Sequence, residues 1–183
     1  MTLSTIVHQP GSRALTRSNM ARYRDWLQAS GVPSLPDYAA LHAWSVADIE
    51  RFWRSIWEYT GVISAGAPGP VLESRGLPGA RWFPEARLNF AENLLRHALG
   101  DDAQRPALHA RSETRPDLTL SRHELVAQVA ALAAWMRARG IQPGDRVAAV
   151  VANTPEAIIG MLAAASIGAV WSSASPDFGT AGI

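Results

Sequence analysis

The sequence predicts an α/β protein: a helical N-terminal region followed by the first strand–helix–strand unit of a parallel sheet. Two observations carry this. Between Gly140 and Gly179 an unbroken apolar run, Val147 to Val151, leads through Asn-Thr-Pro-Glu156 into a segment with Ala157, Ile158, Met161, Leu162 and Ala165 at helical spacing. Gly168 stops that helix and Ala169 to Ser173 returns as a second strand. A run as short and as apolar as Val147–Val151 suits a strand covered on both faces. The second observation is compositional. Five of the seven tryptophans (Trp26, Trp44, Trp53, Trp57, Trp82) precede residue 90, whereas alanine and valine dominate after residue 105. Two regions built on different packing logic follow from that shift.

The remaining composition bounds the function. The 183 residues are 48% hydrophobic and 18% charged with a formal net charge of +1, which is globular material without the basic stripe a nucleic acid or an anionic membrane surface requires. The chain contains no cysteine, so disulfides and thiol chemistry are excluded and a cytoplasmic location is expected. Met1 to Arg13 lacks the continuous apolar stretch of a signal peptide. Val147 to Trp171 is apolar, but Asn153, Thr154, Pro155 and Glu156 interrupt it, and a membrane span needs ~20 nearly uninterrupted apolar residues.

Taken in order, residues 1–17 show no periodicity and read as a loose tail. Ser18 caps a helix carrying Met20, Tyr23, Trp26 and Leu27, stopped by Gly31 and Pro33. Asp37 opens a short helix with Tyr38 and Leu41. Ser45 with Asp48 resembles a capping box ahead of Ile49, Phe52, Trp53, Ile56 and Trp57, a stripe that ends at Gly61 and demands cover. Residues 61–87 are rich in glycine and proline and read as an extended connection. Asn89 with Glu92 caps a helix bearing Phe90, Leu94, Leu95 and Ala98, which stops at Gly100. Ala107–Arg111 and Leu118–Leu120 form a hairpin, and Ser121 with Glu124 is a capping box for a helix running to Gly140. Thr154 caps the helix of the strand–helix–strand unit, with Pro155 in its first turn. The chain divides into the tail at 1–17, a helical region at 18–99 and the sheet region at 100–183.

Little chemistry is written in this pattern. The five histidines have no metal-ligand spacing, no Gly-rich phosphate loop follows a strand, and no Gly-x-Ser-x-Gly elbow occurs. All seventeen basic residues are arginine, so no lysine is available as Schiff base or general base. The loop Trp171 to Gly179 carries three hydroxyls, a carboxylate and two aromatics at the carboxyl end of a strand, where open α/β sheets bind ligands. The same residues suit a plain connection in which Ser175 caps a helix starting at Pro176.

Several of these segments resemble a known family. Gly168-Ala-Val-Trp-Ser-Ser-Ala-Ser-Pro-Asp-Phe-Gly179, Trp82-Phe83-Pro84 with Leu88-Asn89 to Asn93-Leu94, Pro143-Gly144-Asp145-Arg146-Val147 and Asn153-x-Pro155-Glu156 resemble the adenylate-forming acyl-CoA synthetases over roughly residues 20–183. The first of them resembles the version found in acetoacetate-activating members. One departure is Arg122-His123 ahead of Glu124-Leu125, where the family usually has an aromatic before the Glu-Leu pair. The resemblance implies an acetyl-CoA-synthetase-type N-terminal region at 18–99 and the start of an AMP-binding, adenylate-forming domain at 100–183, incomplete. It implies acetoacetate, ATP with Mg2+, and CoA as the reactants of the whole enzyme. The family's phosphate loop and its lysines lie downstream of residue 183, so no catalytic residue transfers to this chain and the remainder of the enzyme is its missing partner. Ser173, Ser175 and Asp177 become candidates for a rim near the CoA nucleotide. Two alternatives remain open: a sibling ligase for acetate or propionate, and a non-catalytic binding module.

Overall fold

The computed structural model describes residues 11–98, 100–180 and 182; the first ten residues of the expected tail lie outside these. The chain forms two compact units, one of residues 1–62 and 67–86, the other of residues 63–66 and 87–183.

The first unit is helical. Residues 12–17, aperiodic in sequence, form helix α1 (Ser12–Arg17), which buries nothing. Ser18 caps α2 (Asn19–Ala29) by accepting from the Ala21 N–H, and Asp37 caps α3 (Tyr38–Ala47) through Ala40. The expected Ser45–Asp48 box does not form. Asp48 is itself the cap of α4 (Ile49–Thr60), accepting from the Arg51 N–H at 3.0 Å, while Ser45 lies inside α3 and donates back to the His42 carbonyl. The carboxylate takes the cap because α3 runs unbroken to Ala47, which holds Ser45 a turn too early.

The aromatic load is the core of this unit. Tyr23, Leu27, Val32 and Leu41 are buried, with Trp26, Trp44, Phe52, Ile56 and Tyr59 packed on them. Tyr23–Tyr59 at 5.0 Å and Trp44–Phe52 at 6.1 Å between centroids meet at tilted or edge-on angles, as their quadrupoles favour, while Tyr23 and Trp26 stack at 6.3 Å. Burial pushes the Tyr23 phenol up, opposed by its 2.6 Å hydrogen bond with Ser55. The connection expected to be extended throughout contains a small hairpin, β1 (Leu72–Ser74) and β2 (Arg81–Trp82). Its Trp82 meets Trp53 edge-on at 5.8 Å, and Phe83 meets Trp57 at 4.6 Å in a tilted pair. These contacts cover part of the α4 stripe, and Trp53 stays 40% exposed.

The second unit is built on α6 (Arg122–Ala138) and α7 (Pro155–Ser166). Short helix α5 (Phe90–Leu95) precedes β3 (Pro106–Ala110) and β4 (Leu118–Ser121), which pair antiparallel as the hairpin reading expects. The Ser121–Glu124 capping box forms in full at the start of α6. Then β5 (Arg146–Val150) and β6 (Val170–Ala174) run parallel, joined by α7, in a register that pairs Arg146 with Val170 and Val150 with Ala174. Turn 142–145 is tied to the end of α7: Gly144 donates to Gly168, and Val170 to Asp145. A Cβ on Gly168, at φ 77°, would stand 3.2 Å from Pro143.

Leu162, Ala163 and Ala164 are wholly buried in the shared core of α6, α7 and the strands. One strand face is covered: Val147, Ala149 and Trp171 are half-buried, whereas Val150 and Val170 on the other face are 55% and 53% exposed. The expected cover on both faces is therefore met on only one face among the described residues. Alternating exposure, not a continuous buried strand, is the pattern observed.

Gly160 is the position that permits this packing. A Cβ there would lie 2.6 Å from the Trp171 ring, so the indole rests directly on the backbone of α7. In an open helix Gly→Ala gains up to about 1 kcal/mol. Gly160→Ala is expected instead to cost about 1–3 kcal/mol, as overpacking does. The reading is a lower urea midpoint at unchanged slope, with the loss relieved in a Trp171→Leu background. A stabilising Gly160→Ala in the parent chain would show that the contact is not tight.

Candidate functional site at the carboxyl end of the parallel strands

Both parallel strands end together. Val150 pairs with Ala174, and the Val151 N–H still donates to the Ala174 carbonyl at 3.0 Å. The segments that follow, 152–156 and 175–179, thus leave the sheet at one edge, where a parallel sheet presents its ligand-binding end.

On the β5 side Thr154 occupies the cap position of α7 with extended backbone, yet its side chain makes no capping bond to the helix. Its hydroxyl bonds the Glu156 carboxylate instead. That bond, first, and then the Glu156 N–H and Arg115 hold the Glu156 carboxyl below the usual range, against a smaller opposing effect of desolvation. Arg115, from the β3–β4 turn, reaches Glu156 at 3.0 Å with both side chains about 60% exposed, so the pair is worth only ~0–1 kcal/mol.

On the β6 side Ser175 accepts from the Asp177 N–H at 3.3 Å and donates to its carboxylate at 3.0 Å. Residues Pro176–Phe178 make a single 3-10 turn. The plain connection read from the sequence is the local structure, shortened to one turn. Of the three candidates, Ser175 and Asp177 are brought together and satisfy one another. Ser173 stays exposed on β6, opposite Ala149. This edge offers hydroxyl and carboxylate groups to a neutral polar partner such as a ribose or an amide. Among the described residues no three His, Asp or Glu side chains are placed to hold a metal ion, and none of this set is poised as nucleophile and base.

Sequence reasoning missed the second role of two asparagines. The Asn89 carbonyl oxygen caps α5, while its amide donates to the Ala165 and Ser166 carbonyls at 3.0 and 3.2 Å at the end of α7, where Ala165 also accepts from the Gly168 N–H. Asn93 pairs in both directions with the backbone of Ile63, at 2.8 and 2.9 Å, as a strand residue would. The only available signal was the Asn-x-x-x-Asn spacing, which a cap explains by itself. Arg122, the departure from the family pattern, donates to Asp102 at 3.0 Å.

With this geometry in view, the comparisons are specific. Residues 95–183 match the family model described as AMP-binding enzyme, and residues 38–94 match the acetyl-coenzyme A synthetase N-terminus. The two matches adjoin and together span residues 38–183. An acetoacetyl-coenzyme A synthetase of Rhizobium meliloti (strain 1021) is 45% identical over 174 residues, covering 95% of this chain and 26% of the relative. The acetoacetyl-CoA synthetase of Macaca fascicularis is 39% identical over 181 residues, again 26% of its length. The solved acetoacetyl-CoA synthetase from Streptomyces lividans superposes with a TM-score of 0.86 at 41% identity, covering 93% of this chain and 26% of that one. The chain is similar to the N-terminal portion of acetoacetyl-CoA synthetases and spans about a quarter of their length.

Because Glu156 is more acidic in the fold than in the unfolded chain, its bonds stabilise fully above the ordinary glutamate pKa of about 4.3 and are lost as pH falls through the lower folded value. Glu156→Gln should therefore lower the urea midpoint at pH 7 and leave it nearly unchanged at pH 3. An equal loss at both values would contradict the assignment.

Proposed function

We propose that this chain is the N-terminal scaffold of an acetoacetate–CoA ligase. The whole enzyme joins acetoacetate to ATP with Mg2+, giving acetoacetyl-adenylate and pyrophosphate, and CoA thiol then displaces AMP. The supporting observation is the 45% identity to an acetoacetyl-coenzyme A synthetase across 95% of the chain, which includes both matched family segments. A malonamoyl-CoA synthetase of Penicillium aethiopicum, 39% identical over 155 residues, supports a second reading in which the acid differs while the chemistry is kept.

Adenylation requires a carboxylate held in line with the α-phosphate and charge stabilisation where the leaving pyrophosphate forms. The described residues do not fit a magnesium triphosphate: no acidic cluster is available for the metal, and the sequence contains no lysine. Those tasks belong to residues beyond this segment, and no step is assigned to a side chain here. What this chain supplies is position. The ends of β5 and β6 fix the edge from which the rest of the domain continues, and Ser173, Ser175 and Asp177 form a rim facing the CoA nucleotide. The reaction needs no membrane or nucleic acid, and no helix among the described residues is long and apolar enough to cross a membrane. A cytoplasmic location suits its soluble reactants.

Two measurements test this. ATP–pyrophosphate exchange by the full-length enzyme should depend on acetoacetate, and the 183-residue chain alone should give none. Exchange driven equally by acetate or propionate would contradict the substrate, and turnover by the chain alone would contradict the scaffold role. In the full-length enzyme, Ser175→Ala with Asp177→Asn should raise the KM for CoA several-fold, as lost hydrogen bonds of about 1 kcal/mol each imply. Exchange should be unchanged, and a matching loss of exchange would remove the rim from the CoA side.

A further inference from the structure

A groove of about 270 Å³ opens in the second unit between α5, β3 and the faces of α6 and α7. Its wall is apolar, made by Leu94, Leu95, Leu125, Ile158 and Leu162, and Arg122 stands at its lip. The volume lies just below the usual range of small-molecule sites, roughly 300–1,000 Å³. Such a wall with one charged group at the edge selects an amphiphile, and the sign of that charge decides which.

The lip is cationic. Asp102 receives Arg105 at 3.2 Å and Arg122 at 3.0 Å, so two guanidinium groups share one carboxylate and a positive charge is left over. Both described bonds of Arg122, to Asp102 and to the His97 carbonyl at 3.5 Å, leave from Nη1. Its Nε and Nη2 donors remain for a further acceptor among the described contacts. Its side chain is only 28% exposed, which holds the guanidinium against the groove and not out in water. A planar guanidinium with two donors on one edge matches a carboxylate bidentately.

We propose that this groove binds a small apolar carboxylate, with its anionic end on Arg122 and its tail against Leu95, Leu125 and Ile158. Its lining shares no residue with the Ser175–Asp177 edge, and its existence does not depend on the ligase reading. Binding is non-covalent and leaves the ligand unchanged.

Hexanoate and its uncharged isostere hexanamide are the probes, titrated into the 15N-labelled chain at low salt. Hexanoate should shift the amides of Leu94, Leu95, Arg122 and Ile158 and bind about tenfold more tightly than hexanamide, the difference a charge-assisted hydrogen bond makes. Arg122→Gln should abolish that preference. Leu94→Glu changes a residue that is 53% exposed, so the fold is retained, and it should weaken hexanoate while sparing hexanamide. Equal affinity for the two probes, shifts confined to other residues, no binding of either, or a preference that survives in Leu94→Glu would each overturn the proposal.

Discussion

The second unit depends on one contact, the Trp171 indole lying against α7 where Gly160 has no side chain. A tryptophan is too large to be buried in a two-stranded sheet by its neighbours alone. It needs a helix that approaches without a Cβ in the way, and α7 supplies one at a cost in intrinsic helix propensity of about 1 kcal/mol. Once the ring is seated, Leu162, Ala163 and Ala164 close against α6, and Gly168 can tuck under Pro143 so that turn 142–145 locks to the start of β6. The small side chains of this region are therefore a packing requirement. They let two helices and a parallel strand pair sit close enough to exclude water from a thin core.

Much of this was legible in the residues. Helical spacing placed α4, α6 and α7, local side-chain chemistry placed the caps at Ser18, Asp37, Asn89 and Ser121, and the short apolar runs placed β5 and β6. Failures came where two groups compete or where contact is remote. Ser45 and Asp48 both offer an acceptor, and only the continuity of α3 decides between them. The β1–β2 hairpin has too few residues to show alternation. Asn89 and Gly160 act on partners that are 76 and 11 positions away, so their local pattern is silent about half of what they do.

The candidate site shows the same limit from the other side. Its residues sit at the expected edge, but their described bonds are mainly local: Ser175 with Asp177, Thr154 with Glu156. The polar groups are held still by their neighbours, and no reacting group stands among the described residues of this edge. The segment Pro143–Val147 likewise has a mechanical role, since its turn clamps the two strands in register. Family identity in this stretch is carried by packing constraints as much as by chemistry, which is why a recognisable sequence contains so little catalytic machinery.

Amide hydrogen exchange on the intact chain tests the central claim most directly. If the Trp171–Gly160 contact unites β5, α7 and β6, the amides of Leu162, Ala163 and Ala164 and those of the β5–β6 ladder will exchange together, at the slowest rate in the second unit. Ladder amides that exchange freely while α6 and α7 remain protected would show that the strands are not held by the helix, and would contradict the account.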